Sequence, residues 1–146
     1  MRITRHTDYA FRVLMFVALK EGDTATISEI AESYGISRHH LTKVVNRLHQ
    51  KGHLVATRGK NGGLTLPCPP EDINVGEVFR DMESELAVVE CMDDPHMCVL
   101  SNCCELMRLF AGASSAFMTY LDRYTLRDLL PGRDRSNLRR ILLIST

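Results

Sequence analysis

No run in the 146 residues approaches the roughly 20 apolar positions that a membrane-spanning helix needs, so a membrane protein is not expected. The opening stretch MRITRHTDYAFRVLMF carries Asp8 and Arg12 inside its apolar run and has no small-residue cleavage site. A secretory signal is therefore not expected, and a cytoplasmic location is. There is no GxGxxG fingerprint for a nucleotide or flavin and no paired CxxC for disulfide exchange, which argues against a redox enzyme; no catalytic activity is expected. Internal repeats and low-complexity tracts are absent as well. One absence is local: between Glu32 and Glu71 there is no acidic residue, while the same stretch holds six Lys/Arg and four His.

That gap belongs to a wider asymmetry. The formal net charge is zero, but residues 1–66 hold 10 Lys/Arg against 5 Asp/Glu, and residues 67–146 hold 8 against 13. A basic front half suits a polyanion. Residues 71–94 contain nine acidic side chains and only Arg80 as a base; this run is expected to form a solvated face.

What is present follows helical and strand periods. The stretch DYAFRVLMFVALK, residues 8–20, predicts a largely buried helix. Thr26 and Glu29 fit a capping box, Gly35 suits the helix end, and Ile27, Ile30, Ala31 and Tyr34 share one face. After the turn Gly35-Ile36-Ser37, Ser37 is placed to cap a second helix whose apolar face is Leu41, Val44, Val45 and Leu48. Two short helices around a tight glycine turn make a helix-turn-helix. HLVATRGKNGGLTL then predicts a hairpin, and the pair together a winged helix. PCPP at 67–70 reads as a linker, dividing a DNA-binding region (1–70) from a second region (71–146). There Asn74 and Glu77 cap a short helix. A long helix presents Leu106, Leu109, Phe110, Ala113, Phe117, Tyr120 and Leu121, and Thr125 with Asp128 marks another short one. The fold class is thus mainly α, with a small β-hairpin wing. The tail RSNLRRILLIST is weakly amphipathic and has no assigned place.

Subtracting the apolar face from the second helix leaves Ser37 at its start, then Arg38, His39, His40, Thr42, Lys43, Asn46 and Arg47. Arg and Lys pair with guanine edges or phosphates, and Asn with adenine. Arg58, Lys60, Asn61 and Gly62 lie at the hairpin tip, where backbone phosphates or a minor groove are within reach. Double-stranded DNA is the expected partner.

Four of the five cysteines fall within CMDDPHMCVLSNCC, residues 91–104. In a reducing compartment such clustering points to metal or redox chemistry before disulfides. The spacing does not match zinc knuckles. Adjacent Cys103 and Cys104 are poorly placed to share one ion, so the segment offers three thiolates: Cys91, Cys98 and either Cys103 or Cys104. An iron–sulfur cluster, a zinc ion and incidental reduced thiols all remain open on spacing alone. Cys68 in the linker is expected to be unliganded. His96, Asp93 and Asp94 are expected to be solvent-exposed. Asp8 alone reads as a helix N-terminal carboxylate favoured by the dipole.

With these motifs the chain resembles the bacterial iron–sulfur winged-helix transcriptional regulators of the Rrf-two (Rrf2) family. The resemblance rests on TDYAFRVL, ISEIAESYGISRHHLTKVVNRL, RGKNGGL, the cysteine segment before a long helix, and LDRYTLRDLL. It is greatest to the nitric-oxide-sensing repressors. One other branch carries a histidine ligand three residues after the last cysteine, where this chain has Met107, and the nitric-oxide sensors carry an aspartate in the first helix, here Asp8. The family pattern selects Cys104 over Cys103. The resemblance implies a homodimer joined by residues about 105–123. It implies an iron–sulfur cluster, expected to be [4Fe–4S] with [2Fe–2S] as the alternative, held by Cys91, Cys98, Cys104 and Asp8 of the partner subunit. The implied function is repression by a holo dimer on operator DNA, relieved when nitric oxide nitrosylates or destroys the cluster. The rival readings are a regulator sensing iron or cluster status and a thiol-only redox regulator.

Overall fold

Thr4 starts the first helix. Its hydroxyl accepts the Thr7 amide at 3.3 Å, and Asp8 adds negative charge in the first turn, where the helix dipole favours it. The computed structural model describes residues 3–59, 62–84, 86–89, 92, 100, 104–130, 132 and 134–144. In it α1 runs Arg5–Leu19, starting three residues earlier than the apolar pattern alone indicates, because the cap lies outside that pattern. α1 buries Val13, Leu14, Phe16 and Leu19, and each such side chain contributes about 1.5–3 kcal/mol on leaving water.

α2 (Ile27–Tyr34) opens on the expected capping box: the Glu29 amide donates to Thr26 Oγ1 at 3.2 Å, and the Thr26 amide to Glu29 Oε2 at 2.7 Å. It ends at Gly35. α3 (Arg38–Gln50) lays Leu41, Val44, Val45 and Leu48 against α1 and α2. Ser37 stands at its N-cap position but makes no side-chain hydrogen bond there. The expected hydroxyl cap is therefore not formed, and the first amides of α3 keep no side-chain partner from it.

β1 (Val55–Thr57) and β2 (Gly63–Thr65) pair antiparallel, Val55 opposite Thr65 and Thr57 opposite Gly63. Ala25 bridges to Leu64 on the outer side, with Leu64 N–H donating to the Ala25 carbonyl at 2.7 Å. This ties the wing to the segment before α2. The hairpin closes through Gly62 N–H to the Gly59 carbonyl at 3.0 Å. A Cβ on Gly62 would run into the Thr57 carbonyl, so the close turn needs glycine there.

α4 (Val75–Met82) is capped by Asn74, whose Oδ1 accepts the Glu77 amide at 3.1 Å. Its start is bonded to the chain that leaves α5 (Glu105–Leu121): Val75 N–H donates to the Tyr124 carbonyl at 2.9 Å, and Leu126 N–H to the Ile73 carbonyl at 2.8 Å. Arg80 grips Asp122 with both terminal nitrogens, at 2.8 and 2.6 Å. The short turn Leu126–Leu129 has the expected Thr125/Asp128 box.

α5 divides its apolar residues between two sides. Phe117 packs edge-on against Phe79, ring centroids 5.3 Å apart, and Phe110 and Leu121 are half-buried with it. Leu106, Leu109, Ala113, Ala116 and Tyr120 recur at alternating spacings of three and four and are exposed, Leu109 at 63%. That is the period of a coiled-coil seam, and α5 has no buried residue.

The tail also has a place. α6 (Arg135–Ile141) is followed by Leu142 and Ile144, both in the same core as α1 and α3. Ser33 Oγ donates to the Leu142 carbonyl at 2.7 Å. Arg135 and Arg139 clasp Glu21 at 2.8 and 3.0 Å, holding that residue in a left-handed conformation (φ 46°) at the end of α1. If the tail stabilises the head, Leu142→Ala lowers the unfolding free energy by about 2–5 kcal/mol in urea titration. Leu143→Ala, at a site 76% exposed, stays within about 0.5 kcal/mol of wild type. Equal effects would contradict this packing.

Candidate nucleic-acid interface and metal-ligand positions

α3 exposes Arg38, His39, His40, Thr42, Lys43 and Asn46 on one side, preceded by exposed Ser37. This is the complement of the buried Leu41, Val44, Val45 and Leu48, so the i, i+3, i+4, i+7 pattern alone fixes what faces outward. Thr42 Oγ1 donates to the Arg38 carbonyl at 2.8 Å, which commits its proton and leaves its lone pairs. Among the described residues none of Arg38, Lys43 and Asn46 has an ion-pair or side-chain hydrogen-bond partner. Arg58 is exposed beyond β1 and Gly62 half-buried at the turn. Lys60 and Asn61, expected at the same tip, lie outside the described residues.

Arg47 differs from the others. It is half-buried, and its Nε donates to the Asp81 carbonyl at 2.9 Å, leaving only its Nη groups for a ligand. The Asp81 carboxylate meets Lys51 Nζ at 3.0 Å and His53 Nε2 at 2.7 Å. Burial pushes the Asp81 carboxyl up, but the hydrogen bonds and charges of Lys51 and His53 outweigh it and hold the group below the usual carboxylate range. The last turn of α4 is thereby fastened to the end of α3 and the start of the wing.

Two residues on, Glu83 is buried at 7% exposure. Its Oε2 accepts from the Thr4 amide at 3.0 Å, Thr4 Oγ1 at 3.2 Å and Thr7 Oγ1 at 2.9 Å. The expectation that 71–94 forms a solvated acidic face is corrected at these two positions. Asp81 and Glu83 turn inward, because each finds enough donors to offset the loss of water. Both contacts span long sequence separations, so no local pattern marks them.

The described ligand candidates are Asp8 and Cys104. Asp8 sits in the first turn of α1, its two oxygens taken by Arg12 at 3.2 Å (Nε) and 2.7 Å (Nη2). Its side chain is 39% exposed, and the pair is worth little in water. Cys104 is a free, half-buried thiol at the N-cap position of α5, making no capping bond. Cys91, Cys98 and Cys103 lie outside the described residues, as do His96, Asp93 and Asp94. Among the described residues no three His, Cys, Asp or Glu side chains converge on one point. Cys68 is a free thiol packed against the core, and burial, helped by Asp72, pushes its pKa up, so it remains protonated. None of the described helices is long and apolar enough to cross a membrane.

The family model of the iron-dependent transcriptional regulators, Rrf2, matches residues 3–132. Two curated relatives are named HTH-type transcriptional regulator NsrR. The one from Bacillus subtilis (strain 168) is 44% identical over 136 residues, 92% of this chain and 93% of the relative. The one from Bacillus licheniformis is 41% identical over 144 residues, 97% and 99% of the two chains. Among solved structures, CymR (YrzC), the global cysteine regulator of B. subtilis, superposes with a TM-score of 0.69 at 26% identity, over 88% of this chain and 95% of that one. The chain belongs to the Rrf2 family of iron-dependent winged-helix transcriptional regulators, and its sequence is NsrR-like.

Proposed function

We propose that the protein is a nitric-oxide-sensitive repressor that binds operator DNA as a homodimer carrying an iron–sulfur cluster. The observation that carries this reading is where the cysteine segment stands in the chain. Residues 91–104 connect α4, whose end holds the reading helix and the start of α1, to α5, which bears the exposed heptad-spaced seam. Along the chain, those cysteines therefore stand between the candidate dimer helix and the DNA-reading head.

Exposed Leu106, Leu109, Ala113, Ala116 and Tyr120 suit packing against the same helix of a second copy. In such a dimer two α3 helices enter major grooves about one helical turn, roughly 34–36 Å, apart, with the wings on flanking backbone. Ser37, Arg38, His39, His40, Thr42, Lys43, Asn46 and Arg47 then face the groove, and Arg58, Lys60, Asn61 and Gly62 the adjoining strand.

Three thiols and a carboxylate are a donor set that suits an iron–sulfur cluster. Cys91, Cys98 and Cys104 of one chain with Asp8 of the partner subunit are the residues that would hold it. When bound, the cluster supplies iron that reacts with nitric oxide and a bond between the two subunits. Asp8 would be a hard oxygen ligand beside soft thiolates, and so the weakest of the four holds on the cluster. Fixing Asp8 fixes the first turn of α1. Thr4 and Thr7 in that turn share Glu83, so the end of α4 is fixed with them, and Asp81 carries the constraint to Arg47, Lys51 and His53. Without the cluster Asp8 pairs with Arg12, and the spacing of the two heads would not be imposed. The change in DNA affinity cannot exceed the difference in cluster binding between the two spacings.

Gel-shift titration of anaerobic holo protein, apo protein and nitric-oxide-treated holo protein tests the reading. The holo form binds the operator at least about tenfold more tightly than the other two, a coupling within the usual range; equal affinity in all three would remove the switch. Cys104→Ala is expected to abolish the visible chromophore of anaerobically purified protein, and Cys103→Ala to retain it. The reverse pattern would overturn the ligand assignment.

A further inference from the structure

The first turns of α1 and the outward side of α3 enclose a cleft of about 260 Å³, lined by Arg5, His6, Tyr9, His40, Lys43 and Val44. That is smaller than the roughly 300–1,000 Å³ typical of small-molecule sites. Val44 is buried and forms its floor. No carboxylate lines it. Asp8 on the same helix is paired with Arg12, and Glu83 accepts from Thr4 and Thr7. Among the described residues neither Arg5 nor Lys43 has an ion-pair partner, and both are exposed. His6 Nε2 is buried with no hydrogen-bond partner. Two exposed cations on facing helices, around a cleft that no carboxylate lines, suit a phosphate group.

We propose that this cleft grips a backbone phosphate of the operator, with Arg5 of α1 and Lys43 of α3 on either side and His6 beneath. The inference rests on the DNA-binding reading above and extends it to a helix outside the helix-turn-helix. It has a consequence for the switch. Arg5 is three residues from Asp8 on the same helical turn, so whatever restrains Asp8 also aims Arg5 at the DNA. The ligand state then acts on a phosphate contact directly, as well as through head spacing.

The test uses the full-length anaerobic holo dimer, an operator selected from a random duplex library, and a random-sequence duplex, with affinity measured against salt. Arg5→Ala is expected to reduce the slope of log K on log salt by about one. It should weaken both duplexes by a similar factor, on the order of tenfold, as loss of a charge-assisted phosphate contact does. Arg5→Lys restores most of both. An unchanged slope and affinity for Arg5→Ala, with wild type binding and Lys43→Ala weakened, would overturn the grip while leaving the repressor reading intact. Wild-type protein that binds neither duplex in any state would overturn both. Inorganic phosphate titrated into the DNA-free dimer, followed by phosphorus line broadening, separates the remaining source of this chemistry. Saturable broadening that Arg5→Ala abolishes, combined with unaltered DNA binding by that variant, would assign the cleft to a free anion and against DNA.

Discussion

Two carboxylates at the end of an eight-residue helix hold this molecule's parts in relation to one another. The Asp81 carboxylate gathers Lys51 and His53 from the approach to the wing, and its backbone carbonyl accepts from Arg47 of the reading helix. Glu83 gathers Thr4 and Thr7 from the start of α1. The opposite end of α4 is pinned to the exit from α5 by backbone bonds, and Arg80 in the last turn adds a fork to Asp122 there. A Cβ at Gly76 would collide with the Asp122 carboxylate, so that close approach depends on glycine. α4 is thus a strut with the DNA-reading head at one end and the candidate dimer helix at the other. Glu83 shows why such a joint is firm. A buried carboxylate with three donors is satisfied, whereas the same group without them would carry a desolvation cost of several kcal/mol. The joint therefore has few intermediate positions.

The remaining features gain their meaning from this strut. The tail packs Leu142 and Ile144 into the winged-helix core and clasps Glu21, adding contacts that hold the head together. The cysteine segment follows the strut and precedes the seam helix. In the proposed mechanism, a ligand there need only restrain Asp8 to restrain the head, because Asp8 shares its helical turn with the threonines that Glu83 holds. The cleft between Arg5 and Lys43 places a proposed DNA contact on that same turn.

Much of the fold was legible because it is local. Thr26 with Glu29, Asn74 with Glu77 and Thr125 with Asp128 are pairs three residues apart, and each forms as its spacing indicates. The face of α3 followed from its apolar period. Ser37 takes the N-cap position that its type and place indicate but not the side-chain bond, because a capping residue type permits that bond without requiring it. Asp81 and Glu83 were hidden inside an acidic run whose average character is solvated. Their partners lie 28 to 79 residues away, beyond any periodic pattern. The seam on α5 looked like one apolar face and is two, one turned to Phe79 and one outward. Of the candidate ligands, only Asp8 and Cys104 fall in described residues, and the family resemblance, not their spacing, joins them.

In the proposed switch, the strut transmits ligand state to the reading head. The most direct measurement is the ratio of holo to apo operator affinity in Asp81→Asn, with iron content and chromophore checked alongside. That change keeps the backbone carbonyl that Arg47 uses and removes the charge that holds Lys51 and His53. The account predicts a normal chromophore with a ratio falling most of the way to one. A ratio equal to that of wild type, with the cluster intact, would contradict it.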